Sequence, residues 1–201
     1  MIRRMFQTCL ILAASLFLTA CQALFSFSPD RAAVQEIILN SPSMIEVHRD
    51  TIRVLQMQEY DPGMMVLVTY LATADSQISE CLALFHAEKA VEGWNARSRG
   101  SGCWPAELAD EEAPLQVIRG QSRSGNQSSS DASGLVYDHE IETIQLTWND
   151  GEKQVLEVIK GSFLSVRTGL YDLQTLNALD ESGELVYSHE IPAPAHGKET
   201  P

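Results

Sequence analysis

From Ile144 to Trp148, apolar residues alternate with polar ones. That period of two puts Ile144, Leu146 and Trp148 on one face of a half-buried strand. Asn149-Asp150-Gly151 follows, a strong hairpin signal, and Val155 to Ile159 runs back. Gly161 turns the chain into Phe163 to Val166. Leu173 to Leu179 reads as a further strand, and Glu181-Ser182-Gly183 turns it into Leu185 to Ser188. Turns about every ten residues predict an antiparallel β-sandwich over residues 115–191, not alternating βα units. Its core is expected to hold Ile144, Leu146, Trp148, Val158, Phe163 and Leu176.

The pattern upstream is mixed. Asp30 can cap a helix over Arg31 to Asn40, with Val34, Ile37 and Ile38 at helical spacing, and Ser41-Pro42 stops it. From Ile45 the pattern becomes strand-like. Ile52 and Val54 share a phase that Leu55 and Met57 shift by one, which predicts a bulge at Val54-Leu55. Asp61-Pro62-Gly63 predicts a type II turn. Met64 to Leu71 is a continuous apolar run, as for a strand covered on both faces. Ser76 to Trp94 fits a helix or a strand, since Ile78, Leu82 and Phe85 match one period and Leu82, Leu84 and His86 the other. Its place after a hairpin favours a strand. Residues 30–104 therefore read as a small α+β domain, a short helix on an antiparallel sheet. The fold class is mainly β.

Residues 105–114 read as a connector, with Pro105, Pro114 and an acidic cluster at Asp110, Glu111 and Glu112. Gln116 to Gly120 is a candidate strand. Residues 122–133 (SRSGNQSSSDAS) are polar and Gly/Ser-rich, so a mobile loop is expected there. Residues 192–201 read as a disordered tail. The heptapeptide Leu135-Val136-Tyr137-Asp138-His139-Glu140-Ile141 returns as Leu185-Val186-Tyr187-Ser188-His189-Glu190-Ile191 with one change. Two similar strands of one sandwich would account for it.

The N-terminus carries a different kind of signal. Arg3 and Arg4 precede a ten-residue apolar run, Cys9 to Leu18, too short to span a bilayer comfortably. Small residues then lead to Cys21. Leu18-Thr19-Ala20-Cys21 resembles the lipobox of bacterial lipoproteins at all four positions. The resemblance covers residues 1–21 only. It implies a signal peptide over 1–20, cleavage before Cys21, a diacylglycerol (palmitate-type) anchor on Cys21 and a tether over 21–29. It also implies a place in the cell envelope on the extracytoplasmic side. Gln22 lacks the Asp that resembles an inner-membrane retention signal, so an outer membrane is the expected site where there is one. Otherwise the outer face of the plasma membrane is expected.

Charge and cysteines narrow the function classes. The 201 residues carry a net charge of −13, which becomes −15 once Arg3 and Arg4 leave with the signal. A surface this acidic argues against nucleic acid as a partner and against lying flat on anionic lipid. Cys9 leaves with the signal and Cys21 takes the lipid. Cys81 and Cys103 remain, an even pair in an oxidising compartment, and a disulfide is expected. Two buried thiols are the alternative. Metal ligation is a weaker one, since two cysteines do not complete a tetrahedral site.

Catalytic chemistry is not legible. His139-Glu140 and His189-Glu190 each offer one inward ligand on a strand. Asp172, Asp180, Glu181 and Glu184 are turn acids. Gly120 to Gly125 lacks the glycine spacing of a nucleophile elbow. No catalytic residue, metal or cofactor is assigned. The expectation is a membrane-anchored binding or envelope-assembly module whose partner is an envelope protein or a glycan. The alternatives are a hydrolase-like envelope enzyme assembled only in three dimensions, or a carbohydrate-binding module using Trp94, Trp104 or Trp148 on its surface.

Overall fold

The computed structural model describes Val34, Glu36 and residues 46–74, 76–91, 93–105, 114–124 and 126–192. The signal peptide, Cys21, the tether, the rest of the expected helix and the expected tail beyond Pro192 lie outside the described residues.

The described chain is mainly β, and its twelve strands form three antiparallel sheets. The first sheet comprises β1 (Glu46–Val47), β2 (Arg53–Glu59), β3 (Met64–Ala74), β4 (Gln77–Lys89) and β5 (Trp94–Pro105), with β3 paired to β1, β2 and β4. The second contains β6 (Leu115–Ser124), β7 (Gln127–Val136) and β10 (Ser162–Thr168), with β7 in the middle. The third runs β12-β11-β8-β9, from β8 (Thr143–Trp148), β9 (Lys153–Glu157), β11 (Leu173–Leu179) and β12 (Leu185–Glu190).

The second sheet is the central layer. Toward the third it buries Ala132, Val136 and Phe163 against Ile144, Leu146, Trp148, Leu173 and Leu176. Toward the first it buries Ile118, Leu135 and Leu164 against Met65, Leu67, Leu82 and Leu84. The core residues expected from alternation are buried, with Val158 packed at their edge. On its outer face the first sheet gathers Val66, Val68, Ala83 and Phe85 around Val34 and Ile52. Both faces of Met64 to Val68 are thus covered, as the apolar run predicted. The expected connector sits between the first two sheets in sequence, yet those sheets share a core.

Local expectations fared unevenly. The register shift between Val54 and Gln56 places the bulge at Leu55. Within Ser76 to Trp94, Gln77–Lys89 is strand, since the backbone of β4 is hydrogen-bonded on both sides. Asn149-Asp150-Gly151 makes the β8–β9 hairpin, with Gly151 at φ 84°. The Asp61-Pro62 peptide is cis, so the turn is not the type II expected. Gly63 still needs to be glycine, at φ 113° and with a Cβ position only 2.2 Å from the Ala87 carbonyl oxygen. Cys81 and Cys103 are direct partners on β4 and β5 and are disulfide-bonded. Their Cα separation of 4.1 Å is shorter than the usual range and close to that of a facing pair across an antiparallel ladder.

Two expectations are corrected. The segment 122–133 is not a mobile loop. It ends β6 and forms most of β7, and Ser129 to Ser133 are buried between the two outer sheets. Most of their polar groups find partners, the buried Ser133 hydroxyl being the exception. The Ser130 hydroxyl donates to the Gly169 carbonyl and accepts from the Tyr171 N–H. The echoed heptapeptides are not two similar strands either. The first leaves β7 at Val136 and turns at His139-Glu140, whereas the second is the edge strand β12.

Candidate functional site

The candidate site begins with an irregularity in β5. Leu84 faces Gly100 and Phe85 faces Ser98, so Arg99 is the extra residue of a bulge. A bulge re-aims a side chain out of the ladder. Here Arg99 reaches across to β7, where its Nη2 donates to the Ser129 hydroxyl at 2.5 Å and to Asp131 Oδ1 at 3.3 Å. Both side chains are nearly covered, at 11% and 1% exposure. Burial pushes the Asp131 carboxyl above its ordinary value, and the charge and hydrogen bond of Arg99 pull against that. Gly120 makes room for this carboxylate, since a Cβ there would stand 2.8 Å from Asp131 Oδ2.

Above this pair a cleft of about 380 Å³ opens between the first and second sheets. Tyr60 and Pro62 from the β2–β3 turn form one wall, and His86, Glu88 and Arg97 from β4 and β5 another. Ser122, Gln127 and Ser129 from the β6–β7 hairpin complete it. The ring of His86 sits edge-on to Tyr60 at 5.5 Å. Its Nε2 is 2.8 Å from the Pro62 carbonyl oxygen, which can only accept, so Nε2 bears the proton. Its Nδ1 lies 3.4 Å from Glu88 Oε1, a contact that is an ion pair only when the ring is protonated on both nitrogens.

The polar groups here are unequally engaged. Glu88 is directed to His86, and among the described residues no acid pairs with the exposed Arg97. Arg99 uses only Nη2 for its bonds, and its buried Nε has no partner. An arginine offers five N–H donors in a rigid fork. The cleft therefore has donor capacity that the protein leaves unused.

A second recess, of about 250 Å³, opens between the second and third sheets beside Gln121, Trp148, Tyr171 and Asp172. Arg119 and Asp131 line it as well; Arg119 is exposed and, among the described residues, reaches only the Pro192 carbonyl at 3.5 Å, whereas the Gln121 amide nitrogen is fully engaged. Gln121 Nε2 donates to the Tyr171 carbonyl at 2.8 Å and to Asp172 Oδ1 at 2.9 Å. Close by, Arg167 stacks over the Tyr171 ring at 3.9 Å and the Trp148 ring at 5.2 Å. It also grips Asp150 and Glu152, which clamps the β8–β9 hairpin onto β10. That network serves stability.

The other residues singled out from sequence are dispersed. His139 and Glu140 lie in a turn, and His189 and Glu190 on β12. Asp172 bonds Gln121, while Asp180 caps its own turn through Ser182 and Glu184. Among the described residues no group of three or more His, Cys, Asp or Glu could hold a metal ion. The tryptophans belong to three separate clusters, Trp94 on the outer face of the first sheet, Trp104 on its inner face and Trp148 in the core under the third. Arg97 and Arg99 carried no motif. The only hint was an Arg-x-Arg within a strand-length polar segment.

Comparison with family models, with curated proteins and with solved structures found no match to this chain.

Proposed function

We propose that this chain is a lipoprotein of the cell envelope, lipidated on Cys21 and facing away from the cytoplasm, that acts as a non-enzymatic binding module. The cleft between the first two sheets is its binding face. The anchor rests on Leu18-Thr19-Ala20-Cys21 after a short apolar run. The binding role rests on one observation, the exposed Arg97, with no acid partner among the described residues, beside Arg99 at a cleft in a chain of strongly acidic balance. Unspent, preoriented donors are what a ligand site holds in reserve, because a ligand then gains hydrogen bonds without breaking existing ones.

Two measurements test this. Cys21→Ser should leave the protein unlipidated, either soluble or stalled as precursor; normal processing with unchanged membrane fractionation would remove the anchor. For the cleft, a photo-crosslinking residue at Ser122 should capture an envelope component that the same residue at Lys160, at the opposite end of the central sheet, does not. Equal capture at both positions would remove the cleft as the binding face.

A further inference from the structure

We infer that the cleft of Arg97 and Arg99 is an oxyanion site, taking a carboxylate or phosphate group on a small, ring-bearing ligand. The inference deepens the binding role proposed above and rests on it. The lipid anchor does not enter.

The chemistry follows from what faces the opening. Arg97 is exposed, lines the cleft and has no acid partner among the described residues. Arg99 stands two residues on. Its position is set by Ser129 and Asp131 through Nη2, and its Nε is buried, so Nη1 is the donor it has left for a ligand. Two guanidinium groups from one strand match planar or tetrahedral oxygens in a way a lysine pair would not. The acids nearby do not cancel them. Glu88 lies 3.4 Å from His86 and is not paired with Arg97, and the buried Asp131 pairs with Arg99 and lines the second recess, not this cleft.

The remaining lining is that of a small polar ligand. Ser122, Gln127 and Ser129 supply hydroxyl and amide groups, and Tyr60 with Pro62 an apolar wall against which a sugar ring could lie. Elsewhere the protein is acidic, so a free anion is repelled from most of its surface. Placing two arginines at one cleft makes that place selective.

The test uses the full chain purified in detergent, titrated with inorganic phosphate, acetate, glucuronate and, as the uncharged comparison, glucose. Binding is read by calorimetry and by amide chemical shifts. Saturable binding of phosphate or of the carboxylates, with glucose inert, is the expected result. Phosphate alone would assign a phosphate-bearing ligand, and glucuronate over acetate a uronate-like one. Arg97→Ala should weaken the preferred probe about tenfold, and Arg97→Lys should fall between it and wild type. Arg53→Ala, an exposed cation near the far end of β2, should change affinity less than about twofold. Arg97 is exposed, so both of its variants should keep the wild-type urea midpoint. No saturable binding of any charged probe would overturn the inference, as would equal weakening by Arg97→Ala and Arg53→Ala. Capture from Ser122 without oxyanion binding would remove the ligand class and leave the binding face. Oxyanion binding without capture would support the ligand class and remove the envelope partner.

Discussion

Adding one methyl group to Gly134 should damage this fold more than its small size implies. Gly134 lies mid-strand in β7, paired to Val117 on one side and Phe163 on the other. A Cβ built there would stand 2.3 Å from the Gln116 carbonyl oxygen and 2.4 and 2.7 Å from two atoms of the Phe163 ring. All three distances are shorter than real contacts allow. One partner is backbone in the neighbouring strand, and the other is a fully buried ring. Overpacking of this kind costs about 1–3 kcal/mol, and the count of clashes argues for the upper end. Alanine returns about 0.4–1 kcal/mol by restricting the unfolded chain. A net loss of about 2 kcal/mol remains, a large share of a typical stability. In urea, with a slope of about 2 kcal/mol/M, the midpoint should fall by about 1 M. Trp148, buried in the adjoining core, provides the fluorescence signal. Gly134→Ala combined with Phe163→Leu should lose about 1 kcal/mol less than the two single losses together, because the ring clash disappears while the clash with Gln116 stays. An unchanged midpoint for Gly134→Ala would refute the placement of β7 between β6 and β10. Strict additivity in the double variant would refute the contact with Phe163.

Trp148→Ala should cost about 3–5 kcal/mol in the same assay, since it empties the core and removes one of the two donors to Gln154 Oε1, the other being the Ser165 hydroxyl. An unchanged midpoint would mean the residue is not core. Replacing Cys81 and Cys103 together by alanine should lower stability by about 3 kcal/mol, and reductant should no longer affect the variant; a reductant effect that persists would point to another bond. Hydrogen bonding from Arg167 holds the Asp150 carboxyl below its ordinary value. Its contribution is therefore present above the ordinary carboxylate range and lost as pH falls through the lowered value. Asp150→Asn should flatten the acid side of the stability–pH curve. Asp131 has the opposite sign, because burial raises its value and stability falls as pH rises from the ordinary carboxylate range through the raised one. Asp131→Asn should remove that decline, and an unaltered curve for either variant would refute the corresponding assignment.

Much of the β architecture was legible along the chain, because alternation, turn residues and the bulge at Leu55 are local properties. Ile144, Leu146 and Trp148 had to share a face, and Asn149-Asp150-Gly151 had to turn back. The Cys81–Cys103 pairing followed from counting thiols, and their facing positions on β4 and β5 agree with it. Burial is not local. Ser129 to Ser133 read as a flexible loop because serine and glycine usually mean solvent, yet they lie mid-strand in a sheet covered on both faces, where hydrogen bonds satisfy most of their polar groups. The site was hidden for the same reason. Arg97 and Arg99 come from one sheet, Ser122 and Ser129 from another and Tyr60 from a distant turn. No spacing in sequence encodes a cleft that exists only where two sheets pack, and the bulge that sends Arg99 across it shows in the pairing of β4 with β5, not in the order of residues.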